Sequence, residues 1–309
     1  MKKHLLLFIF LNSLLSSDEN IYLQLGVNIT PNIEKISSNK QNMNTSFLNS
    51  MLQTPVSSIE FNKSKLNETK TAINSKNKKI IFLTFDDGPL LGTNNILNII
   101  NDEKIYATMF MVGKHINMNQ SLYKKALKNS YVTIANHTFS HANGKYRKFY
   151  SNSVKLLTDI KKNNNILSHS SDNNLSLFYP LRLAGRNVFR LPGISCDDKG
   201  LGKKQCKKEH SKYNNIEKEG FFIYGWDLEW HFNPRNGSPI GSPKSVVRKL
   251  ETIYSKNHSK IKGKVILLMH DFMFKNKHKG KTKLIQLIYL LKKGGWTFAP
   301  LKNYITNKI

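Results

Sequence analysis

From Lys79 onward, short and nearly continuous apolar runs alternate with stretches of helical periodicity. No other feature of this 309-residue chain restricts its fold as much. KKIIFLTF, IYATMFMVG, YVTIAN, NVFRLPG, FFIYGWDL, KVILLMHD and WTFAPL read as strands. Between them, TNNILNIINDE, SLYKKALKN, SNSVKLLTDIKKNNNIL, SPKSVVRKLETIYSK and KTKLIQLIYLLKKGG space their apolar residues as helices do. Strands apolar on both faces belong to parallel sheets covered by helices. The reading is therefore α/β, and at least seven strands fit a barrel better than a small open sheet. In such folds the chemistry gathers at the C-terminal ends of the strands.

The segment before Lys79 has a different texture. MKKHLLLFIFLNSLLSS pairs a basic start with an apolar run too short to span a membrane, so residues 1–17 read as a signal peptide. Residues 18–78 are rich in Asn, Ser, Lys and Thr and poor in periodicity, and read as a disordered spacer. The folded domain is then 79–309, and the expected location is outside the cytoplasm: periplasmic, cell-envelope or secreted. No later segment is apolar enough to cross a membrane. Lys and Arg number 48 against 20 Asp and Glu, a net charge of +28. That excess suits an anionic partner. The lysines are scattered, however, and no nucleic-acid-binding motif accompanies them. The two cysteines, Cys196 and Cys206, lie close enough in sequence for a disulfide in an exported protein, or stand as unrelated thiols.

Five polar clusters fall at strand ends. IFLTFDDGP places adjacent carboxylates, Asp86 and Asp87, where an apolar run stops. NHTFSH places His137 and His141 four residues apart, so that one helical turn would set both rings on one face. Two His with one carboxylate form a common zinc triad that leaves a position for water. FRLPG puts Arg190 at a strand end, where it could hold a carboxylate ionised. GWDLEW supplies Trp226, Asp227, Glu229 and Trp230, two acids and two indoles suited to a sugar-stacking wall. VILLMHD ends in His270 and Asp271, where a His could act as general acid.

Taken together and in this order, TFDDGP, HTFSH, RLPG, WDLEW and LLMH resemble the polysaccharide deacetylase family, the NodB-homology domains of carbohydrate esterase family 4. The resemblance covers roughly residues 79–309. It implies a distorted (β/α) barrel. It also implies Asp86 as general base, Asp87, His137 and His141 as ligands of a divalent metal (zinc, or cobalt or another ion), and His270 as general acid. By the same resemblance Arg190 would tether Asp86. Pro192 and Gly193 would belong to the turn whose amide meets the oxyanion, and Trp230 would line the acetyl pocket. Three departures stand out. Gly193 replaces an aromatic residue. Glu229 stands where an Asp is usual, leaving Glu229 or Asp227 to tune the catalytic His. Ile194–Glu219 is a polar, Lys-rich insertion expected to loop over the groove. The expected function is N-deacetylation of a GlcNAc-containing polysaccharide by a monomeric enzyme, with peptidoglycan favoured. Chitin oligomers, poly-N-acetylglucosamine, an O-acetylated glycan or a binding role without turnover are the alternatives.

Overall fold

The structure, a computed structural model, describes residues 78–169 and 180–306. The expected signal peptide and all of the expected spacer but Lys78 lie outside the described residues.

The first strand, β1 (Lys79–Gly88), is central. It pairs in parallel along one edge with β7 (Lys264–His270), from Ile80 to Asp86. Its opposite edge is shared by β8 (Trp296–Phe298), along Lys79–Ile81, and β2 (Ala107–Met111), along Leu83–Gly88. Next to β2 runs β3 (Val132–Asn136), also parallel. Single bridges then carry the sheet onward from Asn136 to Leu181 and from Leu181 to Ile223. The chain after Ile223 reaches β6 (Leu228–Glu229), which is parallel to β7 and closes the circuit. This is a distorted (β/α) barrel.

Around it lie α1 (Thr93–Glu103), α2 (Gly113–Met118), α3 (Gln120–Leu127), α4 (Tyr146–Phe149), α5 (Ser153–His169), α6 (Lys203–Lys218), α7 (Pro243–Ser255) and α8 (Gly280–Lys293).

The period-2 alternation of strands explains what goes where. Ile81, Leu83 and Phe85 of β1 join Val265, Leu267 and Met269 of β7 in the core beneath the helices. Ile80 and Phe82, with Ile266 of β7, join the second core cluster on the opposite face. Further along that face β1 places Thr84 and Asp86, and β7 places Leu268 and His270. One face of the same two strands thus begins as apolar core and ends as a polar site.

Two expectations change. NVFR is not a barrel strand. Phe189–Leu191 (β4) pairs antiparallel with Ile194–Cys196 (β5), and the barrel position beside β3 belongs to Leu181. The expected loop after Ile194 contains that hairpin strand and the 16-residue α6. This helix buries only Glu209, Tyr213 and Ile216, so its apolar stripe is too thin to stand out among its lysines. What ties it down is polar. Arg186 holds the buried Glu209 through two hydrogen bonds, Nε to Oε2 at 2.6 Å and Nη2 to Oε1 at 2.9 Å. The Tyr213 hydroxyl donates to the same carboxylate. A buried carboxylate is tolerated only when matched in this way.

Candidate active site

Adjacent residues on a strand point to opposite faces, so Asp86 and Asp87 should diverge. They do not, because the register with β2 slips between Asp86 and Gly88. Asp87 sits in that irregularity with φ 73°, a conformation uncommon outside glycine. The His115 ring on α2 donates from Nδ1 to the Asp87 carbonyl at 2.6 Å and holds the kink. Both carboxylates therefore line one cavity of about 350 Å³.

Asp86 is buried, and its Oδ1 accepts from Arg182 Nη1 at 2.8 Å. Arg182 is fully buried and donates throughout: to Thr84 Oγ1 at 2.8 Å, to the Tyr224 carbonyl at 3.2 Å and to the Gly225 carbonyl at 2.9 Å. Its guanidinium lies 4.2 Å from the Phe110 ring centroid. The tether of Asp86 is thus Arg182, not Arg190. Arg190 faces away from this site and donates to Asp197 Oδ1 at 2.5 Å and to Asn214 Oδ1 at 2.8 Å.

The His137–His141 stretch is not a helical turn. Thr138, His141, Ala142 and Asn143 all have positive φ, and the 3-10 turn begins only at His141. Asp159 of α5 fixes the loop, its Oδ1 accepting the amides of Phe139 at 2.8 Å and Ser140 at 3.1 Å. The two rings still converge. His141 Nε2 lies 3.1 Å and His137 Nε2 3.4 Å from Asp87 Oδ1. His137 Nδ1 donates to the Arg182 carbonyl at 2.9 Å, which turns its other nitrogen toward the carboxylates.

Burial works against ionising Asp87, yet the hydrogen bonds and charges of His137 and His141 outweigh it and hold the carboxyl well below its usual range. Burial likewise opposes the charged form of His137, but the Asp86 and Asp87 charges and the Asp87 hydrogen bond raise it on balance. Ligand atoms of Asp87, His137 and His141 all lie within 4.8 Å of one another. The Arg182 carbonyl occupies His137 Nδ1, which leaves Nε2 toward the carboxylates, and Asp87 Oδ1 is buried without an aligned hydrogen-bond partner, an arrangement a cation would satisfy. These three residues could hold a divalent metal.

The facing wall is aromatic. His270, in register with Asp86 on β7, lies edge-to-face with Phe232 at 4.9 Å and is tilted against Phe272 at 5.6 Å between centroids. Its Nδ1 is buried, with the Met273 amide facing it from the turn that follows β7. Trp226, Glu229, Phe232 and Leu268 complete this side, and Tyr146, Gly185 and Asp198 complete the other. Gly185 has φ 63°, and a β-carbon there would lie 3.0 Å from the Tyr146 ring.

Several sequence expectations land elsewhere. Trp230 is core: its Nε1 donates to the Ile240 carbonyl at 2.8 Å, its ring packs on Phe274, and the indole that reaches the cavity is Trp226. Asp227 does not reach His270. Its Oδ1 and Oδ2 accept the Lys260 and Ile266 amides at 3.0 and 2.8 Å, stitching the chain before β6 to β7. Burial pushes its carboxyl up to about 6 despite those bonds. Glu229 does line the cavity, beside an exposed His231 at 3.4 Å. Pro192 and Gly193 form the exposed tip of the β4–β5 hairpin, outside the cavity. Cys196 and Cys206 are free thiols: Cys196 Sγ lies 3.6 Å from the Asp197 carbonyl and Cys206 Sγ 3.7 Å from Asp197 Oδ2. Sequence reasoning missed Arg182, His115, Tyr146 and Phe232. Arg182 had a visible signal, since RLAG at 182–185 repeats the R-L-x-G spacing of RLPG.

The polysaccharide deacetylase family model matches residues 73–187, a span that includes Arg182 and stops short of Arg190. A peptidoglycan-N-acetylglucosamine deacetylase of Bacillus cereus is 28% identical over 233 residues, covering 75% of this chain and 91% of that one. A chitin disaccharide deacetylase of Vibrio alginolyticus is 24% identical, covering 74% and 72%. Among solved structures, a Streptococcus mutans CE4 esterase superposes with TM-score 0.54 at 21% identity, covering 75% of this chain and 90% of that one. The catalytic domain of a peptidoglycan N-acetylglucosamine deacetylase from Eubacterium rectale gives TM-score 0.52 at 24% identity, covering 72% and 88%. The fold is shared with these two solved structures. Residues 73–187 thus match the polysaccharide deacetylase family, and the fold and the strand-end site agree with that match.

Proposed function

We propose that this protein is an exported, metal-dependent N-deacetylase of a GlcNAc-containing polysaccharide, with peptidoglycan the favoured substrate. The observation behind it is the convergence of Asp87, His137 and His141 beside an Arg182-held Asp86, with His270 on the strand next to it. A divalent ion, zinc in the first instance, would be held by Asp87, His137 and His141 and would supply Lewis acidity toward an acetamide carbonyl and a lowered water pKa.

The protein's own groups do the rest. Arg182 aims Asp86, so that Asp86 can take the proton of the attacking water. The Phe232 and Phe272 rings fix His270, which hands a proton to the departing sugar amine. Trp226 and Phe232 offer flat apolar faces to the sugar. All of these residues come from one chain, so a monomer suffices. Names of similar proteins support the substrate class: peptidoglycan N-acetylglucosamine for the Bacillus cereus relative, chitin disaccharide for the Vibrio alginolyticus one.

The test is acetate release by the purified full chain from peptidoglycan and from chitin oligomers, with and without a chelator and with zinc restored. Chelator-sensitive release from peptidoglycan above chitin is expected. Release from chitin alone reassigns the substrate. Release only from an O-acetylated glycan replaces the amidase reading with an esterase one. Metal-replete protein that releases acetate from nothing tested overturns the catalytic reading.

A further inference from the structure

Beside the catalytic cavity lies a second groove of about 610 Å³, and Asp198 lines both. The two spaces are lined by different charged groups. The cavity presents Asp86, Asp87 and Glu229. The groove presents Lys199, Lys203, Lys207 and His210 along the start of α6 and the loop before it. Lys203 and Lys207 are one turn apart and share the α6 face with His210. The helix begins at Lys203 without a side-chain cap, so its uncapped amides add partial positive charge at the same end.

The acids in the groove are already engaged. Asp197 is taken by Arg190 at 2.5 Å and by His210 at 2.7 Å, and despite the opposing effect of burial these bonds keep its carboxyl low. The Asp198 oxygens accept the Asn187 and Gly200 amides at 3.1 and 2.8 Å. Glu209 is buried against Arg186. Lys199, Lys203 and Lys207 are exposed, and none of them forms an ion pair among the described residues.

We infer that this groove is an anion subsite that binds a carboxylate-bearing part of the same polysaccharide strand whose N-acetyl group occupies the cavity. The inference rests on the deacetylase reading above. The acetamide takes the cavity, where Arg182 and the divalent ion proposed above offset the carboxylates, and a carboxylate on a neighbouring unit would be drawn to the lysines. The lysines on one side of Asp198 would thus set which way along the strand the enzyme lies, and would favour carboxylate-bearing glycans over neutral ones.

The test compares the full chain with a Lys199→Gln, Lys203→Gln, Lys207→Gln triple variant and with the same three positions changed to Arg. Substrates are peptidoglycan strands with free carboxylates, the same strands amidated, and a neutral N-acetylglucosamine oligomer. The expected result is a KM for the carboxylate strand raised roughly tenfold in the Gln triple, each exposed pair contributing a modest factor. The kcat should hold, the amidated and neutral substrates should be unaffected, the Arg triple should match wild type, and the difference should vanish at high salt. An unchanged KM, or an equal rise on all three substrates, overturns the subsite. If no substrate releases acetate, the deacetylase reading fails on its own. Retention of carboxylate strands on the immobilised full chain then decides the groove: loss in the Gln triple supports it and equal retention refutes it.

Discussion

The two walls of the cavity are built in opposite ways. The carboxylate wall is fixed by hydrogen bonds around an unpartnered Asp87 Oδ1: Arg182 on Asp86, His115 on the Asp87 carbonyl, the Arg182 carbonyl on His137, and Asp159 on the loop between the histidines. The His270 wall is held mainly by ring contacts. A wall that must gather two acids and two imidazoles needs directional bonds to overcome repulsion. A wall that must present one proton donor and a sugar-facing surface needs shape and dryness.

The harshest way to break this contrast is at Asp87. Asp87→Ala should abolish metal uptake and reduce acetate release to background, with metal content read by elemental analysis. Asp86→Asn should keep the metal and still lose turnover. Retained metal and activity in Asp87→Ala would sink the division of labour. On the opposite wall, His270→Ala should lower kcat by roughly 10²–10⁴-fold, the usual worth of a general acid, with the metal still bound. A near-wild-type rate would remove its role.

Arg182→Met tests whether the polar wall is also structural. Stranding buried Asp86 should cost on the order of 3–5 kcal/mol of stability. Arg190→Met should leave turnover on the neutral oligomer near wild type, and equal catalytic loss in both variants would return Arg190 to the site.

Behind the aromatic wall, Asp271 accepts from the Gly92 amide at 2.9 Å and from the Thr93 hydroxyl of α1, and burial pushes its carboxyl up to about 6. The folded protein therefore keeps a proton that the unfolded chain, titrating near 4, has already lost. Stability from this group is present below about pH 4 and lost as pH rises toward 6, at most about 3 kcal/mol. Urea midpoints across that range should fall with pH in wild type and fall less in Asp271→Asn. Parallel slopes would show that Asp271 does not titrate there. Phe232→Ala is the mildest probe. A lost ring contact of about 0.5–1.5 kcal/mol should lower kcat by no more than about tenfold. It should also alter the pH profile of kcat, because more water would reach His270. A change confined to KM would make Phe232 a sugar platform instead.

Much of this was legible from the chain. Continuous apolar runs gave β1, β2, β3 and β7, and the polar residues that end them gave Asp86, Asp87, His137, His141 and His270. What misled was neighbourhood. Arg182 and Arg190 each begin an R-L-x-G string, and only the bridge from Asn136 to Leu181 decides which one enters the barrel. Trp226 and Trp230 share strand parity, which predicts a common face, but only Leu228 and Glu229 between them are strand, so the parity rule lapses. The kink at Asp87 depends on a histidine 28 residues away, and no local pattern announces it.

The excursion between Leu181 and Ile223 leaves the barrel and returns to it at points that are hydrogen-bonded to each other. The Leu181 amide meets the Phe222 carbonyl at 2.9 Å, and the Tyr224 amide meets the Leu181 carbonyl at 2.8 Å. Whatever lies between is spliced in at a closed joint. Such a cassette can be lengthened, recharged or exchanged while strand order and register stay as they are. Arg182 and Gly185 lie just inside the joint, so an exchange that spares the cavity begins after them.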